Sequence, residues 1–535
     1  MLPNILLKEA DLTKILKFLK ITFIGLAVLI VLMIIPVVTL LLWPITAPPT
    51  NGVNQPFAIT NINIINVHDG SIQPDKTLLI KNGEIRKIVS SIGFNIPGGF
   101  TKVPAKGKYL IPGLWDMHTH SIKISPQLHH PLFIANGVTG VRDMSGCMSE
   151  DDSFWGCIND RLVWTQEALI GQRVSPRYVL QSSYQTDGGS EVPDDFPSFF
   201  SLDRTVDAQK LINFYQSAGA DFIKVHHKIP LDKYDALVSA AKYSGLKIAG
   251  HQPLEVSLEH AIESGQTSIE HGRVFLLECY QEINKYQTFD NPLPFNDGSF
   301  WRGLIDSQNQ SKCEALMQTL AKSETWWVPT MTTLASAAFA FDEKFINDPR
   351  LQYIPYFIQK ILWSQDIKRA QRLGLDGKGQ YVHKDLYQLA LQQLGKANES
   401  GVKILAGTDT LDSYVFAGSS LHDELEAMVS AGLSPLQALQ SATISAARFS
   451  QLNNKFGSID VGMAADLLVL NANPLENISN TKNIENVFFN GINYDKAELK
   501  QLKQYTAEQA QSIQINLRFA SDMLSSPLMR MQLAD

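Results

Sequence analysis

The sequence predicts an α/β protein: a (β/α)8 barrel, a small β-rich domain built from both ends of the chain, and one transmembrane helix. Three observations predict this fold class. An uncharged apolar run lies near the N-terminus, short alternating strands lie near both ends, and strands alternate with amphipathic helices in between. A chain of 535 residues is long enough for one barrel-sized domain and a smaller one.

The composition is that of a folded protein without a nucleic-acid partner. Hydrophobic residues make up 44% of the chain and charged residues 19%, which is not the balance of a disordered protein. The formal net charge of −7 provides no basic field for phosphates, so we expect no nucleic-acid partner. The oligomeric state is left open, and a homo-oligomer is compatible with the sequence.

The first element is the apolar run from Ile21 to Trp43, which contains no charged side chain. As a helix it would be about 35 Å long, slightly more than the hydrocarbon thickness of a bilayer, about 30 Å. Pro36 is tolerable there, since proline occurs in membrane helices. We therefore predict a single-pass anchor.

The flanking charges predict the orientation of this anchor. Four lysines, Lys8, Lys14, Lys17 and Lys20, precede the run, and no Lys or Arg follows it until Lys76. By the positive-inside rule the N-terminus is cytoplasmic and the rest is exported to the periplasm or the cell exterior. The alternative is a cleaved signal peptide, which the length of the run and the absence of an A-x-A site disfavour.

The remaining elements are predicted in chain order. The boundaries that we predict are a cytoplasmic tail at 1–20, an anchor at 21–43, a linker at 44–56, a first β-rich part at 57–108, a barrel at 109–455, a second β-rich part at 456–496 and a helical tail at 497–535. The linker is rich in Pro, Thr and Asn, which predicts an extended spacer. Asp69-Gly70 and Asn82-Gly83 are hairpin signals in the first β-rich part. The helical tail can be assigned no chemistry.

Eight apolar segments predict the strands of the barrel. They are Tyr109–His120, Gly137–Asp143, Pro176–Ser183, Ala220–Val225, Leu246–His251, Gln266–His271, Thr325–Thr330 and Val402–Asp409. Helical periodicity separates several of them, at 207–217, 231–243, 254–263 and 311–322. Strands alternating with helices imply a parallel sheet, and eight units over this length suit a barrel. The long segments after His271 and Thr330 are predicted as loops over its mouth, with Phe300, Trp301 and Trp363 as a lid.

Four cysteines, Cys147, Cys157, Cys279 and Cys313, form no CxxC metal pattern. Export permits disulfides, and Cys147 with Cys157 would close a short loop. All four could equally be buried thiols. Both interpretations stay open for the two pairs.

Polar side chains that can bind metal recur at the ends of the predicted strands. They are His118, His120, Lys224, His251, His271 and Asp409. The two histidines of the opening strand are two residues apart, so they lie on one face of it. Each residue alone has an ordinary structural explanation. Together they are a stronger signal, because a barrel brings the C-terminal ends of its strands to one rim.

These residue types suggest a binuclear metal centre. Neutral imidazoles suit Zn²⁺, so His118 and His120 would hold one cation, and His251 and His271 a second. A lysine ammonium repels cations, but its carbamylation by CO₂ would turn Lys224 into an anionic bridging ligand. Asp409 would bind the first metal and act as general base towards a metal-activated hydroxide, then as acid towards the leaving amine.

The chain resembles the amidohydrolase superfamily of metal-dependent hydrolases. The matching pieces are GLWDMHTH, GVTGVRD, DFIKV, IAGHQP, SIEHG, ILAGTD, the ATISAAR helix and SIDVGMAADLLVLNANPLENI. The resemblance runs from about Phe57 to Lys496 and is greatest to the imidazolonepropionase-like branch, which includes dipeptide-hydrolysing prolidases. It implies a distorted (β/α)8 barrel with a β-sandwich from both chain ends, two metals bridged by a carboxylated Lys224, and Asp409 as proton shuttle.

Two departures bear on this resemblance. Many relatives carry a Gly-Gly-His element after the third strand, whereas this chain has SSYQTDGGSE, which puts substrate contacts there in doubt. Some members of the branch use a single metal and lack the lysine, so Lys224 argues for two.

Substrate contacts are predicted from four residues after barrel strands. Arg142 could bind a substrate carboxylate, although Asp143 beside it could neutralise it as a structural ion pair. Tyr184, His226 and His227 could polarise a carbonyl or bind a carboxylate, and a plain loop role is equally compatible with each.

The resulting hypothesis is a membrane-anchored hydrolase of a C–N amide bond, in a dipeptide or a cyclic amide. A lactone or phosphoester hydrolase with the same centre is the first alternative, since activated hydroxide attacks all three bond types. A catalytically inactive, membrane-tethered binding module is the second, and the intact set of candidate ligands argues against it.

Overall fold

The fold is α/β, with one mixed sheet, two parallel sheets and helices around them. The computed structural model describes residues 9–50, 55–189, 192–286, 294 and 297–534. Its strands are β1 (Phe57–Ile65), β2 (Ile72–Lys81), β3 (Glu84–Ser90), β4 (Thr101–Pro104), β5 (Tyr109–Pro112), β6 (Leu114–Thr119), β7 (Val138–Asp143), β8 (Arg177–Leu180), β9 (Phe222–Val225), β10 (Lys247–Gly250), β11 (Ser268–Glu270), β12 (Trp326–Val328), β13 (Leu467–Leu470), β14 (Ile484–Phe489) and β15 (Ile492–Asp495).

The helices follow the periodic segments of the sequence. They are α1 (Glu9–Leu42), α2 (Ser125–Leu128), α3 (His130–Ala135), α4 (Ile158–Leu169), α5 (Thr205–Ala218), α6 (Leu231–Ser244), α7 (Leu258–Glu263), α8 (Arg273–Glu278), α9 (Gly298–Asp306), α10 (Gln310–Lys322), α11 (Met331–Ala338), α12 (Glu343–Ile346), α13 (Ser364–Leu373), α14 (His383–Glu399), α15 (Ser419–Ser430), α16 (Pro435–Ser441), α17 (Ile444–Phe449), α18 (Lys496–Gln511), α19 (Ile513–Ser525) and α20 (Pro527–Ala534). Short 3₁₀ turns lie at Ser198–Ser201, Ile283–Lys285, Pro349–Tyr353 and Ile478–Lys482, and a π-helical turn at Ile358–Trp363.

Local sequence explains where the principal helices begin and end. Helices α5 and α6 end at Gly219 and Gly245, which adopt the left-handed conformation that glycine tolerates best. The Asp495 side chain accepts hydrogen bonds from the first amides of α18, in a capping box with Glu498.

The two ends of the chain build one eight-stranded sheet. Its order is β15-β14-β13-β5-β1-β2-β3, with β4 paired to β1. Strand β5 joins the halves, because Leu110 pairs with Ile64 of β1 on one side and with Val469 of β13 on the other. Apolar side chains from both halves, such as Ile62 and Phe488, form its own buried core.

Two parallel sheets position the candidate site. They have the orders β6-β7-β8 and β12-β11-β10-β9. On one side, a single parallel bridge between Ser182, which follows β8, and Phe222 of β9 joins the two sheets. On the other side Trp327 bridges to Ile404, and Thr410 bridges back to Thr119. The eighth predicted strand thus pairs with both neighbours but forms no regular ladder, because Asp409 has a φ of +65°.

The segments predicted as mouth loops are largely helical, which corrects that prediction. Besides α10, which matches the helix predicted at 311–322, they contain α8, α9 and α11 to α14, while residues 287–293 and 295–296 lie outside the described residues. Phe300, Trp301 and Trp363 are buried and do not form an exposed lid. The apolar residues of α9 and α13 do follow a helical period, so this part of the structure could have been predicted from the sequence.

Helix α1 contains a candidate membrane span. Within Lys14–Leu42 an 18-residue window has a mean hydropathy of 3.0, and none of that window is buried against the protein. Of the cytoplasmic tail predicted at 1–20, residues 1–8 lie outside the described residues.

The C-terminal tail holds the end of α1 against the globular part. Gln514 Nε2 donates to the Trp43 carbonyl at 2.7 Å, and Arg518 Nη1 donates to the Leu41 carbonyl at 2.6 Å. Ile45 packs against the main apolar core. The described part of the predicted linker is therefore bound to the protein and is not a free spacer, and residues 51–54 of it lie outside the described residues.

Both cysteine pairs form disulfides, Cys147 with Cys157 and Cys279 with Cys313. The second ties the end of α8 to α10. The open choice between disulfides and thiols is decided in favour of disulfides.

Gly250, at the end of β10, allows the close approach of β10 to β9 to be tested. Its φ is +130°, and a Cβ there would lie 2.2 Å from the Val225 carbonyl oxygen of β9. We expect Gly250→Ala to lower the free energy of unfolding by about 3 kcal/mol or more, through overlap and backbone strain together. Gly245→Ala is the control, because a Cβ at Gly245 meets nothing within 4 Å and its positive φ alone costs about 1 kcal/mol. Equal melting temperatures for the two variants would contradict the close approach.

Candidate metal centre

Side chains from the ends of several strands converge on Asp409. His118 and His120 lie at the end of β6, and His271 directly follows β11. The Asp409 Oδ1 atom is 2.9 Å from His120 Nε2 and 3.3 Å from His118 Nε2, and its Oδ2 atom is 3.6 Å from His271 Nδ1. One ligand atom each of His118, His271 and Asp409 lie within 4.8 Å of one another.

His251 extends the cluster beside His271. It follows β10, and the two ring centroids are 4.5 Å apart. Burial holds the pKa of His251 well below its ordinary value and lowers that of His271 to about 3. Both imidazoles are therefore neutral, and each carries a nitrogen lone pair.

Glu270 fixes the orientation and the tautomer of His118. His118 Nδ1 lies 2.8 Å from Glu270 Oε2, with both side chains fully buried. Burial raises the pKa of Glu270, but the Arg142 guanidinium and the hydrogen bond from His118 outweigh it and lower the pKa to about 2. Because Glu270 is a carboxylate, His118 Nδ1 donates the proton and the Nε2 lone pair faces the site.

The resulting arrangement suits a cation. His118 Nε2 has no hydrogen-bond partner although it is buried, and it faces a carboxylate oxygen of Asp409. Burial works against the ionised form of Asp409, but His118 and His120 hold its pKa well below its usual range. Without a positive charge on the His118 ring, Nε2 and the Asp409 carboxylate are two acceptors that repel, and either a proton or a metal cation between them removes the repulsion. His251 Nδ1 is likewise buried without a hydrogen-bond partner.

Lys224 lies inside, on β9, with 2% of its surface exposed. Burial lowers the pKa of its amine, opposed by the negative charges of Asp409 and Glu270. The same amine lowers the pKa values of His120, His251 and His271 electrostatically. The Lys224 side chain is therefore buried and does not point to solvent.

The backbone around these residues is unusual. His271 and Asp409 have φ values of +75° and +65°, which cost a non-glycine residue about 1 to 3 kcal/mol. Asp116, buried on β6, accepts hydrogen bonds from Thr408 Oγ1 at 2.6 Å and from its backbone N–H at 3.0 Å. This pair holds the segment that carries Asp409 against the opening strand. Our sequence reasoning missed Asp116 and Glu270, although each lies within two residues of a predicted ligand.

Two of the four residues predicted to contact the substrate, Arg142 and Tyr184, make contacts inside the protein instead. Arg142 is fully buried, and its Nη2 atom donates to Glu270 at 2.8 and 2.9 Å. It is a structural ion pair, but with Glu270 and not with Asp143, which pairs with Arg161 at 2.7 Å. Tyr184 is buried and its hydroxyl accepts a hydrogen bond from Gln532. The correct partner was unpredictable because Glu270 is distant in sequence.

The other two contacts, His226 and His227, line a cavity of about 600 Å³ that reaches His251, His271 and Asp409. His226 Nδ1 is hydrogen-bonded to Asp187, which lies in the segment where the Gly-Gly-His element was expected. The other cavity walls come mostly from α8, α11, α13 and α14, and include Arg273 on α8. The cavity connects the candidate centre to a largely apolar space.

The Arg142–Glu270 pair can be tested by its effect on stability. We expect Arg142→Met to lower the free energy of unfolding by about 3 to 5 kcal/mol, because it leaves a buried carboxylate unpaired. The double variant Arg142→Met/Glu270→Gln removes that charge and should recover part of the loss in thermal denaturation. A single variant as stable as the parent protein, with only a raised KM, would instead favour a substrate contact.

Comparisons with known proteins agree with this geometry. Residues 389–492 match the family model described as Amidohydrolase family. No curated protein sequence matches the chain at a significant level.

Solved structures share the fold over most of the chain. A bottromycin amidohydrolase is 22% identical with a TM-score of 0.66, covering 85% of this chain and 90% of its own. A Xaa-Pro dipeptidase with bound methionine in the active site is 21% identical with a TM-score of 0.56, covering 82% and 100%. A molinate hydrolase is 17% identical with a TM-score of 0.55, covering 84% and 95%. Residues 389–492 thus match the amidohydrolase family model, and the fold is one that the amidohydrolase and dipeptidase structures named above share.

Proposed function

We propose that this protein is a membrane-anchored, metal-dependent amidohydrolase that cleaves a C–N amide bond in a dipeptide or a cyclic amide. The observation that carries the proposal is the convergence of His118, His120 and His271 on Asp409, with the buried Nε2 atom of His118 left without a hydrogen-bond partner. The family match and the amide-hydrolysing neighbours support it. The scaffold that we propose is a distorted (β/α)8 barrel whose eighth strand carries Asp409.

Two divalent cations, for which Zn²⁺ is our proposal, fit the available donors. His118, His120 and Asp409 would hold one, and His251 and His271 the other. A carboxylated Lys224 would bridge them, since a bare ammonium at this position would repel both. When bound, such ions lower the pKa of a water molecule towards neutrality and polarise the amide carbonyl.

The protein's own groups would handle the proton. Asp409 is ionised, and its Oδ1 and Oδ2 atoms face histidines of three strands. Its carboxylate can accept the proton of the attacking water and donate it to the nitrogen of the leaving amine. His226 and His227, at the cavity wall, are placed to donate a hydrogen bond to a substrate carbonyl or carboxylate.

Proton transfer and metal binding can be tested separately, each with a variant of one residue. We expect Asp409→Asn to lower kcat for a dipeptide by about 10²- to 10⁴-fold, because the amide cannot accept the proton. We expect His118→Ala to lose bound metal as well as activity, measured by elemental analysis of the detergent-purified protein. His260→Ala is the control, since His260 is half-exposed and pairs with Asp235.

Less than one equivalent of divalent metal in the active parent protein would contradict the metal centre. A screen that finds lactones or phosphoesters cleaved, and dipeptides and cyclic amides untouched, would contradict the bond type while leaving the centre in place.

The membrane anchor rests on α1 and its flanking lysines. The two disulfides support export of the following domain, because disulfides persist in oxidising compartments. We expect the full chain to stay in the membrane fraction after extraction at alkaline pH. We also expect its cysteines to resist thiol labelling until a reductant is added. Release into the soluble fraction, or four reactive thiols, would contradict the exported, anchored arrangement.

A further inference from the structure

The cavity has room for part of a ligand beyond the candidate metal centre. Its volume of about 600 Å³ lies in the range for ligands of drug size, about 300 to 1,000 Å³. The candidate metal centre and its histidines occupy one end. The wall beyond it is mixed. Apolar side chains of α8, α11, α13 and α14 lie beside the charged Arg273 and Glu278 of α8 and Asp366 and Arg369 of α13; the apolar ones are Val274, Leu277, Leu334, Ile367, Ala370, Leu373 and Leu386.

One wall of this cavity is connected to the end of the membrane helix. Helix α19 bonds the last carbonyls of α1 through Gln514 and Arg518. The same helix accepts a hydrogen bond at Asn516 Oδ1 from the Phe357 N–H at 2.9 Å, and the rings of Phe357 and Phe519 lie 5.9 Å apart. Phe357 leads through the π-helical turn into α13. At about 1.5 Å per residue, the wall residue Ile367 lies about 15 Å along the helix from that contact.

Apolar side chains are exposed around the same junction. Trp43 at the end of α1 is 65% exposed, and Ile513 at the start of α19 is 71% exposed. Tyr356, next to the Phe357 contact, is 60% exposed. Tryptophan and tyrosine at the end of a membrane span are typical of the bilayer interface. With α1 in the membrane, this surface lies at the bilayer interface, which covers its apolar side chains.

We propose that the substrate is an amide carrying a long apolar chain, which reaches the cavity from the bilayer beside α1. The chain lies along the wall formed by α8, α11, α13 and α14, and the amide lies at the histidine end. This inference rests on the proposed amide hydrolysis and deepens it by naming the substrate class. The bonds broken and formed are those of amide hydrolysis: the C–N bond breaks, water adds its oxygen to the acyl carbon, and the amine nitrogen gains a proton.

The substrate class is tested with the metal-loaded, full-length protein in phosphatidylcholine vesicles. The probes are acetyl, octanoyl and dodecanoyl amides of glycine and of proline, with a Xaa-Pro dipeptide alongside. Each buried methylene can raise kcat/KM by up to about fourfold, so we expect octanoyl amides to exceed acetyl amides by at least about 100-fold. Hydrolysis of the dipeptide without a rise along the acyl series overturns the inference alone. Failure to hydrolyse any of these amides overturns the inference and the dipeptide form of the proposed function, and leaves only a cyclic amide as its substrate.

The position of the chain is tested by narrowing the cavity. We expect Ala370→Trp to lower kcat/KM for the dodecanoyl amide at least about tenfold more than for the acetyl amide, because Ala370 lines the wall. Ala497→Trp is the matched control, on an exposed position of α18. An equal loss for both amides in Ala370→Trp places the chain elsewhere and overturns the assignment.

Delivery from the bilayer is tested at the exposed apolar residues. We expect Tyr356→Glu/Ile513→Glu to lower turnover of the dodecanoyl amide at least about fivefold when it is embedded in vesicles, and to leave turnover of the water-soluble acetyl amide near that of the parent protein. Ile92→Glu is the control, because Ile92 is 83% exposed on the β-rich domain. Unchanged turnover of the embedded amide in the double variant overturns delivery from the membrane.

Discussion

The buried carboxylate of Glu270 is the interaction on which the candidate centre depends. It connects three neighbouring parts of the parallel sheets: its own strand β11, Arg142 of β7 and His118 of β6. A carboxylate without solvent is stable only when it is paired and hydrogen-bonded, and Arg142 and His118 satisfy both of its oxygens. The same contact decides which nitrogen of His118 keeps its proton. The arginine is therefore used for orientation inside the sheet and cannot reach the cavity.

Much of the fold and of the candidate site could be predicted from sequence because strand ends and metal-competent residues coincide. A run such as Gln266–His271 shows both a short apolar strand and the histidine after it. The parallel arrangement then brings such ends to one edge without any knowledge of loops. The eighth strand was visible as an apolar run, but its irregular pairing was not, since it depends on the left-handed backbone at Asp409.

The remaining features depend on contacts between distant residues. The partner of Arg142 lies 128 residues away, whereas the neighbouring Asp143 was the obvious choice by spacing. Several helices after His271 line the cavity, and the sequence alone does not show which of their side chains face it. The tail at 497–535 has an ordinary polar, helix-forming composition, and only its contacts with Leu41 and Trp43 show what it does.

The sheet shared by the two chain ends has a consequence for biosynthesis. Strand β5 can pair with β1 soon after both have been synthesised. Its other edge stays unpaired until β13 has been made, because Leu110 pairs with Val469. At about 5 to 20 residues per second, the ribosome needs roughly 20 to 70 s to make that stretch of chain. During this interval an apolar strand edge is exposed, and such edges are prone to pair with other chains. A truncated product that ends before β13 would keep this edge exposed and would be an aggregation hazard.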